Sequence, residues 1–293
     1  MSSSVGPVAR GSEYSSRGRD QDLWDRSADA FGRVPSPLRR VLIQIGQLGQ
    51  LLTKVVWSAV RRPVGYWGDV VDEMHSMLRY AWMPSVVAIG GFVLVMSNYA
   101  YDLVTFVGAQ SRVSTYLVMA IAREIAPFCT GMAVAGVLGT ALTADLGARR
   151  VREELDALEV LGINVVRSIV VPRVISITFL ALGLVIVGLL IGLGAGLVAA
   201  SALNNTSVGT FMANFLAIMT TAELVGVVVK TLLTGLFIGI VCAQKGLAAS
   251  GGPEGVGRAV NQSVVICFIA VFIINFCVNA VTLGLSPEMM VNR

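Results

Sequence analysis

Four ionisable side chains stand where this chain is otherwise apolar. Lys230 lies within AELVGVVVKTLLTGLFIGIVCA, residues 222–243, and Glu223 precedes it by seven positions on the same helical face. Arg123 and Glu124 open a second apolar run, AREIAPFCTGMAVAG, residues 122–136. A lysine near mid-bilayer costs about 3 kcal/mol on insertion scales, so it must face a polar cavity or a carboxylate. The chemistry open to such a set is electrostatic: holding an anionic group, or lining a pathway. Two plainer readings compete. Lys230 could be a neutral or ion-paired structural lysine. Arg123 and Glu124 could snorkel to an interface, because residues 125–144 already make a complete uncharged span.

A second cluster is VREELDALEVLG, residues 151–162, with four carboxylates between Glu153 and Glu159. Placed on a helix, Val151, Leu155, Leu158 and Leu161 share one side, and Arg152, Asp156 and Glu159 the other. Glu154 breaks the pattern by lying near Leu158 and Leu161, and Gly162 supplies a stop. A linker that merely solvates itself is one reading. Three leucines on one side, with a carboxylate among them, fit better under a second protein, with leucines in a cleft and acids at its rim.

These residues need elements to hold them. The 293-residue chain is 55% hydrophobic and 14% charged, with net charge +4 and mean hydropathy +0.75. Soluble domains are nearer a quarter charged. No charge occurs between Arg79 and Asp102, Arg173 and Glu223, or Arg258 and Glu288, and a bilayer core needs about 20 apolar residues as a helix. An all-α membrane protein with five spans is predicted, at about 81–106, 115–144, 172–203, 222–243 and 262–286. Upstream, residues 1–37 hold five basic and five acidic side chains and no apolar core, and read as a disordered tail. Residues 38–63 place Arg40, Gln44, Gln47, Gln50, Lys54, Ser58 and Arg61 along one stripe, predicting an amphipathic helix in the interface plane; a sixth span is the competing reading. The domain plan is therefore a tail at 1–37, helix and connector at 38–80, the five-span body at 81–287 with the acidic helix at 151–162, and a tail at 288–293.

Loop charges set the expected orientation. Arg149, Arg150, Arg152, Arg167 and Arg173 follow the second span, and Lys245 and Arg258 the fourth. This predicts a cytoplasmic N-terminus and an extracytoplasmic C-terminus. Small residues recur at four-residue spacing: Gly131, Ala135 and Gly139 in the second span, Gly188, Gly192 and Gly196 in the third, Gly235 and Gly239 in the fourth. Such faces let helix backbones approach closely, in a bundle or a dimer.

The run ALTADLGARRVREELDALEVLG, 141–162, resembles the cytoplasmic loop of the MlaE/YrbE permeases, membrane subunits of lipid-transporting ABC systems that include the mammalian-cell-entry (Mce) transporters. AREIAPFCTGMAVAG, VVPRV at 170–174 and GGPEGVGRAVNQSVV at 251–265 are similar to the family in the same order, and the likeness covers about 38–286. It implies an N-terminal interfacial elbow helix before five transmembrane helices, with 151–162 as a coupling helix docking into a separate ATPase. Glu153, Glu154, Asp156, Leu158 and Leu161 would make those contacts within a segment that also includes Arg152, Leu155 and Gly162. Relatives commonly carry Asp-Pro after the coupling-helix glycine. This chain has Asn164-Val165, which predicts a less sharply defined exit. The likeness further implies a lipid cavity around Arg123, Glu124, Glu223 and Lys230, with Arg123 and Lys230 meeting an anionic headgroup or carboxylate and Glu124 balancing charge when it is empty. Implied partners are a second permease subunit, a paralogue in preference to a second copy, a cytoplasmic ABC ATPase dimer, extracytoplasmic MCE-domain proteins and a lipid, in a bacterial inner membrane. No cofactor is expected on this chain; ATP and Mg belong to the ATPase.

Rival functions lack their residues. None of Lys54, Lys230 and Lys245 follows a glycine, so there is no phosphate-cradling GxxxxGK[ST] loop. One histidine, His75, and scattered cysteines offer neither a metal cluster nor a nucleophile–base pair, and no basic stripe suits nucleic acid. The alternative function is an ion-gradient-driven secondary transporter of an amphipathic or anionic substrate. It would want inverted repeats, which five spans do not supply.

Overall fold

The computed structural model describes residues 36–61, 67–108, 113–204 and 207–285, and every element among them is helical. Five of these helices are long and apolar enough to cross a membrane. The predicted tails lie outside the described residues, apart from Ser36 and Pro37. Those two open α1 (Ser36–Arg61), the helix that carries the polar stripe and is not among the five. Residues up to Gln50 form one contact unit and those from Leu51 onward another. Within the second unit Leu51 and Val55 are buried.

The first span belongs to α2 (Trp67–Phe106), which starts well before the apolar run at 81 and brings the polar turns of Asp69, Asp72, Glu73 and Arg79 into the same helix. The second span is a succession of α3 (Val113–Ala120), α4 (Ala126–Val134) and α5 (Thr140–Val151), joined by single π turns at Ile121–Ile125 and Ala135–Gly139. A short α6 (Glu154–Val160) follows, then a π turn at Val166–Val170 leading into α7 (Val171–Asn204), the third span. The connection between the third and fourth spans contains α8 (Val208–Ile218), whose first turn is capped by Ser207 Oγ accepting from the Thr210 amide at 3.1 Å. Its Phe211 is buried with Val118 and Ala200. The fourth and fifth spans are α9 (Thr221–Leu247) and α10 (Gly252–Leu285).

Burial sorts the spans. The second has 61% of its apolar window covered by the rest of the chain, the fifth only 17%, so the second is the hub and the fifth shows most of its surface outward. The first span packs on α7, α7 on α9, and α9 on α10, while the segments of the second touch all of these. The predicted small residues do this packing within one chain. A Cβ on Gly192 would come within 2.6 Å of Ile121 Cγ2, and one on Gly235 within 2.9 Å of Thr178 Cα, a backbone atom that cannot turn aside. The faces carrying Gly131, Gly139, Gly188, Gly196 and Gly239 meet neighbouring spans in the same way, and Ala135 is fully buried. Gly235→Val is therefore expected to cost about 3 kcal/mol, the upper end of ordinary overpacking. Gly183→Ala, inside α7 with nothing within 4 Å of its Cβ, is expected to stabilise by up to about 1 kcal/mol. Thermal unfolding of the two purified variants separates them, and equal melting temperatures would refute the packing role.

The acidic segment is shorter and differently turned than predicted. Glu153 adopts φ +60°, the one left-handed non-glycine among the described residues, and breaks the helix after α5, so Val151 ends α5 and only Glu154–Val160 continues. The far end is a Schellman motif: Gly162, at φ +78°, donates to the Glu159 carbonyl at 3.0 Å, and Ile163 to that of Leu158 at 3.0 Å. The exit is sharp despite Asn164-Val165, because Asn164 Oδ1 caps the next helical turn by accepting from the Arg167 amide at 3.1 Å.

Candidate functional site

The four intramembrane charges meet in one place. In the π turn Ile121–Ile125, the Ala126 amide bonds back to the Ile121 carbonyl, one residue further than in an α-helix. The extra residue puts Arg123 and Glu124 on the inner side of the hub span. Opposite them stands the start of α9. Its Thr220 caps the helix by accepting from the Glu223 amide at 3.4 Å. Thr220 and Glu223 have capping-box spacing, yet the Glu223 carboxylate is directed elsewhere and forms a buried ion pair with the Arg123 guanidinium. Two turns on, Lys230 is 3% exposed.

Lys230 Nζ donates to the Arg123 backbone carbonyl at 2.7 Å and to Asn279 Oδ1 at 2.5 Å. The Asn279 amide nitrogen donates in turn to Glu124, and Asn275 Nδ2 donates to the same carboxylate at 2.5 Å. An ammonium only donates and a carboxylate only accepts, so this chain of bonds fixes the Asn279 amide in a single orientation. Glu223 thus balances Arg123 directly, and Glu124 balances Lys230 through Asn279. Sequence reasoning had assigned the balancing role to Glu124 alone and overlooked Asn275 and Asn279. Their signal was available: two asparagines four residues apart, hence on one helical face, in the apolar run INFCVNA.

The interior of the network is nearly closed. The void bounded by Arg123, Glu223, Lys230 and Asn279 has a volume of about 10 Å³, room for one water. Beside it, sharing Gly226 and Thr282, runs an apolar groove of about 440 Å³ between α9 and α10, walled by Val225, Val229, Leu233, Val278 and Val281. A larger groove of about 660 Å³ lies between α2 and α7, but no charged side chain lines it. Only the first combines an apolar slot with charge at its end. Anything anionic reaching Arg123 or Lys230 must replace the bonds those groups make to Glu223 and Asn279.

The acidic loop helix is a separate surface. Leu155, predicted to face outward with its neighbours, is 2% exposed and anchors α6 to its own chain, so it is not available for docking. Leu158 is half-buried. The most exposed large apolar side chains of the loop are Val160 and Leu161, at 87% and 74%, with Ile163 less so at 41%; Val160 and Ile163 are absent from the predicted set. Glu153, Asp156 and Glu159 are exposed. Arg152 Nε donates to Glu154 at 2.7 Å, and Arg150 pairs with Asp156, tying α6 back to the end of α5.

Five apolar helices around a buried set of opposed charges, with a charged helix projecting between two spans, have the build of a membrane permease. The sequence profile of the family described as "Permease MlaE" matches residues 70–281. A Synechocystis protein named "Probable ABC transporter permease protein" is 33% identical over 228 residues, covering 78% of this chain and 85% of that one. A Rickettsia bellii protein of the same description is 28% identical over 242 residues, or 82% and 92% of the two chains. The Arabidopsis thaliana protein TRIGALACTOSYLDIACYLGLYCEROL 1, chloroplastic, is 27% identical over 176 residues, 60% of this chain and 50% of its own. This chain belongs to the MlaE permease family. It is a multi-pass ABC-transporter permease, a transport subunit whose energy comes from a partner ATPase, and the gradient-driven alternative gives way to that reading.

Proposed function

We propose that this permease moves a lipid, whether fatty acid, sterol or phospholipid, across or out of a bacterial inner membrane, and that the Arg123–Glu124–Glu223–Lys230 network is where a polar or anionic headgroup is taken. The observation that carries this reading is the junction of the closed charge network with the apolar groove between α9 and α10. A chain of methylenes suits the groove, and an anion suits two cations, Arg123 now paired with Glu223 and Lys230 held by neutral acceptors that an anion outcompetes. The Arabidopsis relative bears the name of a glycolipid, in keeping with a lipid cargo. Because the fifth span is the least covered, a second permease subunit, a paralogue in preference to a second copy, closes the cavity from the α10 side. An MCE-domain protein exchanges lipid on the outer side. The N-terminus and the α6 loop are cytoplasmic and the C-terminus extracytoplasmic. ATP and Mg bind the ATPase dimer seated on α6, and this chain holds no cofactor of its own.

Gentle purification from the native membrane tests this proposal. Wild type is expected to bring down an ATPase subunit together with phospholipid or fatty acid identifiable by mass spectrometry. Glu154→Lys, which reverses a half-exposed charge on α6, is expected to lose the ATPase at least about tenfold while keeping the lipid, since charge reversal at an interface rim costs more than the 1.4 kcal/mol that a factor of ten requires. Wild type without any ATPase, under conditions that preserve membrane complexes, would refute the proposal.

A further inference from the structure

At the α6 end of the bundle lies a second set of charges that the lipid site does not use. Arg173, in the first turn of α7, is 9% exposed. Its Nε donates to Glu73 of α2 at 3.1 Å, and its Nη1 pairs with Asp145 of α5. Asp145 has a second cation: Arg149, one turn along α5, places Nε 3.2 and 3.3 Å from its two oxygens. One guanidinium therefore spans three helices, and one of its carboxylates already holds an alternative partner.

The packing around this set is uneven. On one side α5 is keyed tightly to α9 and α10. A Cβ on Gly246 would lie 2.8 Å from Leu146 Cβ and 3.0 Å from the Thr143 carbonyl, and one on Gly147 would lie 3.1 Å from Val256. The Thr143 hydroxyl adds contacts at 3.2 Å to the Cys242 carbonyl and 3.1 Å to the Ser263 hydroxyl. On the other side α2 and α7 are held to each other, with Ser176 Oγ donating to the Val70 carbonyl at 2.8 Å. Next to Arg173, α7 also touches α9, where a Cβ on Gly239 would lie 3.2 Å from Val174 Cα. The charged link from the α2–α7 pair to α5, among the described residues, is Arg173. α5 itself runs into α6 through the Arg150–Asp156 pair.

The Arg173 guanidinium is buried, but its carboxylates are part-exposed, Glu73 at 29% and Asp145 at 43%, so solvent screens the attraction and the pairing adds little stability. What such a set does well is specify one arrangement over another. Transmission between distant sites needs an element with two discrete states that both sites bias. Asp145 supplies one. It can hold Arg173 and Arg149 together, as here, or keep Arg149 and release Arg173 to Glu73 alone. We propose that the Glu73–Arg173–Asp145 triad is the joint through which movement of α6 reaches the first and third spans, with Arg149 receiving Asp145 when the joint opens. These are positioning residues that touch no lipid, and the inference rests on the reading of α6 as the ATPase-docking helix.

Hydrogen-exchange mass spectrometry on the assembled permease–ATPase complex, with and without ATP and vanadate, tests the joint. In wild type, amides in both 152–163 and 67–80 are expected to change exchange rate by at least about fivefold, the lower end of ordinary allosteric coupling. In Asp145→Asn and Arg173→Gln the 152–163 response persists and the 67–80 response falls below about twofold on the same scale. Arg149→Gln removes only a half-exposed i,i+4 partner, which a purely structural role would hardly notice, yet it too is expected to mute 67–80. If the variants respond as wild type does in both segments, or wild type responds in 152–163 alone, the joint is overturned. A wild-type complex that shows no nucleotide response in 152–163 would instead overturn the docking of α6 and leave the triad without a purpose.

Discussion

Lys230→Met is expected to retain about ten- to a hundredfold less anionic lipid than wild type, measured as lipid per permease by mass spectrometry after gentle purification. The size follows from losing one charge-assisted hydrogen bond, worth about 1.5–3 kcal/mol. The variant also has a folding cost, because Asn279 Oδ1 and the Arg123 carbonyl lose their donor and Glu124 loses the charge that balances it across Asn279. Breaking one side of a buried pair typically costs about 3–5 kcal/mol. A companion variant separates the two effects. In Lys230→Met/Glu124→Gln the network again has matched charges, so thermal stability should recover most of the loss while lipid retention stays low. Should Lys230→Met fold and hold wild-type amounts of anionic lipid, the headgroup role falls and Lys230 becomes a structural lysine.

The second large effect is expected on α6. Leu161→Asp should abolish recovery of the ATPase with the permease and leave the melting temperature of the isolated permease unchanged. Leu161 is 74% exposed, so its loss costs the fold almost nothing. A truncated interface anchor costs about 2–4 kcal/mol of binding, a factor of about 30 to 1,000. Leu155→Ala should behave in the opposite sense. Its side chain is 2% exposed, and a buried Leu→Ala change costs about 2–5 kcal/mol of stability. Copurification and thermal melts on the two variants give a crossed pattern if Val160 and Leu161 form the docking face. A Leu161→Asp permease that still carries its ATPase would place the contact elsewhere on the loop.

Much of this arrangement was legible from residue types. The uncharged stretches announced the five spans, because the penalty for charge in hydrocarbon leaves so plain a mark. The same penalty singled out Arg123, Glu124, Glu223 and Lys230 before any contact was known. What the sequence withheld was pairing. Arg123 and Glu223 are a hundred positions apart, and nothing local in either run says that Glu223, rather than the adjacent Glu124, takes the guanidinium. The π turn that places Arg123 and its neighbour has no compositional sign of its own. Periodicity likewise grouped Leu155, Leu158 and Leu161 without revealing that Leu155 turns inward, since an amphipathic pattern is the same whether its apolar side meets the parent chain or a partner. The left-handed residue at Glu153 then cut off the turn on which Val151 had been counted. Arg173 was visible only as one of several loop arginines, because its two carboxylates come from helices on either side of it.

The two bases and two acids of the inner network have an electrical consequence. With Arg123 and Lys230 positive and Glu124 and Glu223 negative, the set sums to zero, so the resting membrane potential does no net work when the bundle shifts it bodily along the bilayer normal. An anionic occupant ends that indifference. Lys230 lies about a third of the way along α9 from its N-terminal end, and a unit charge brought in from that end crosses roughly a third of the field, worth about 0.8 kcal/mol per 100 mV. Occupancy by an anion would then change by a factor of about four for every 100 mV, whereas a sterol or another uncharged lipid in the same groove would ignore the voltage altogether.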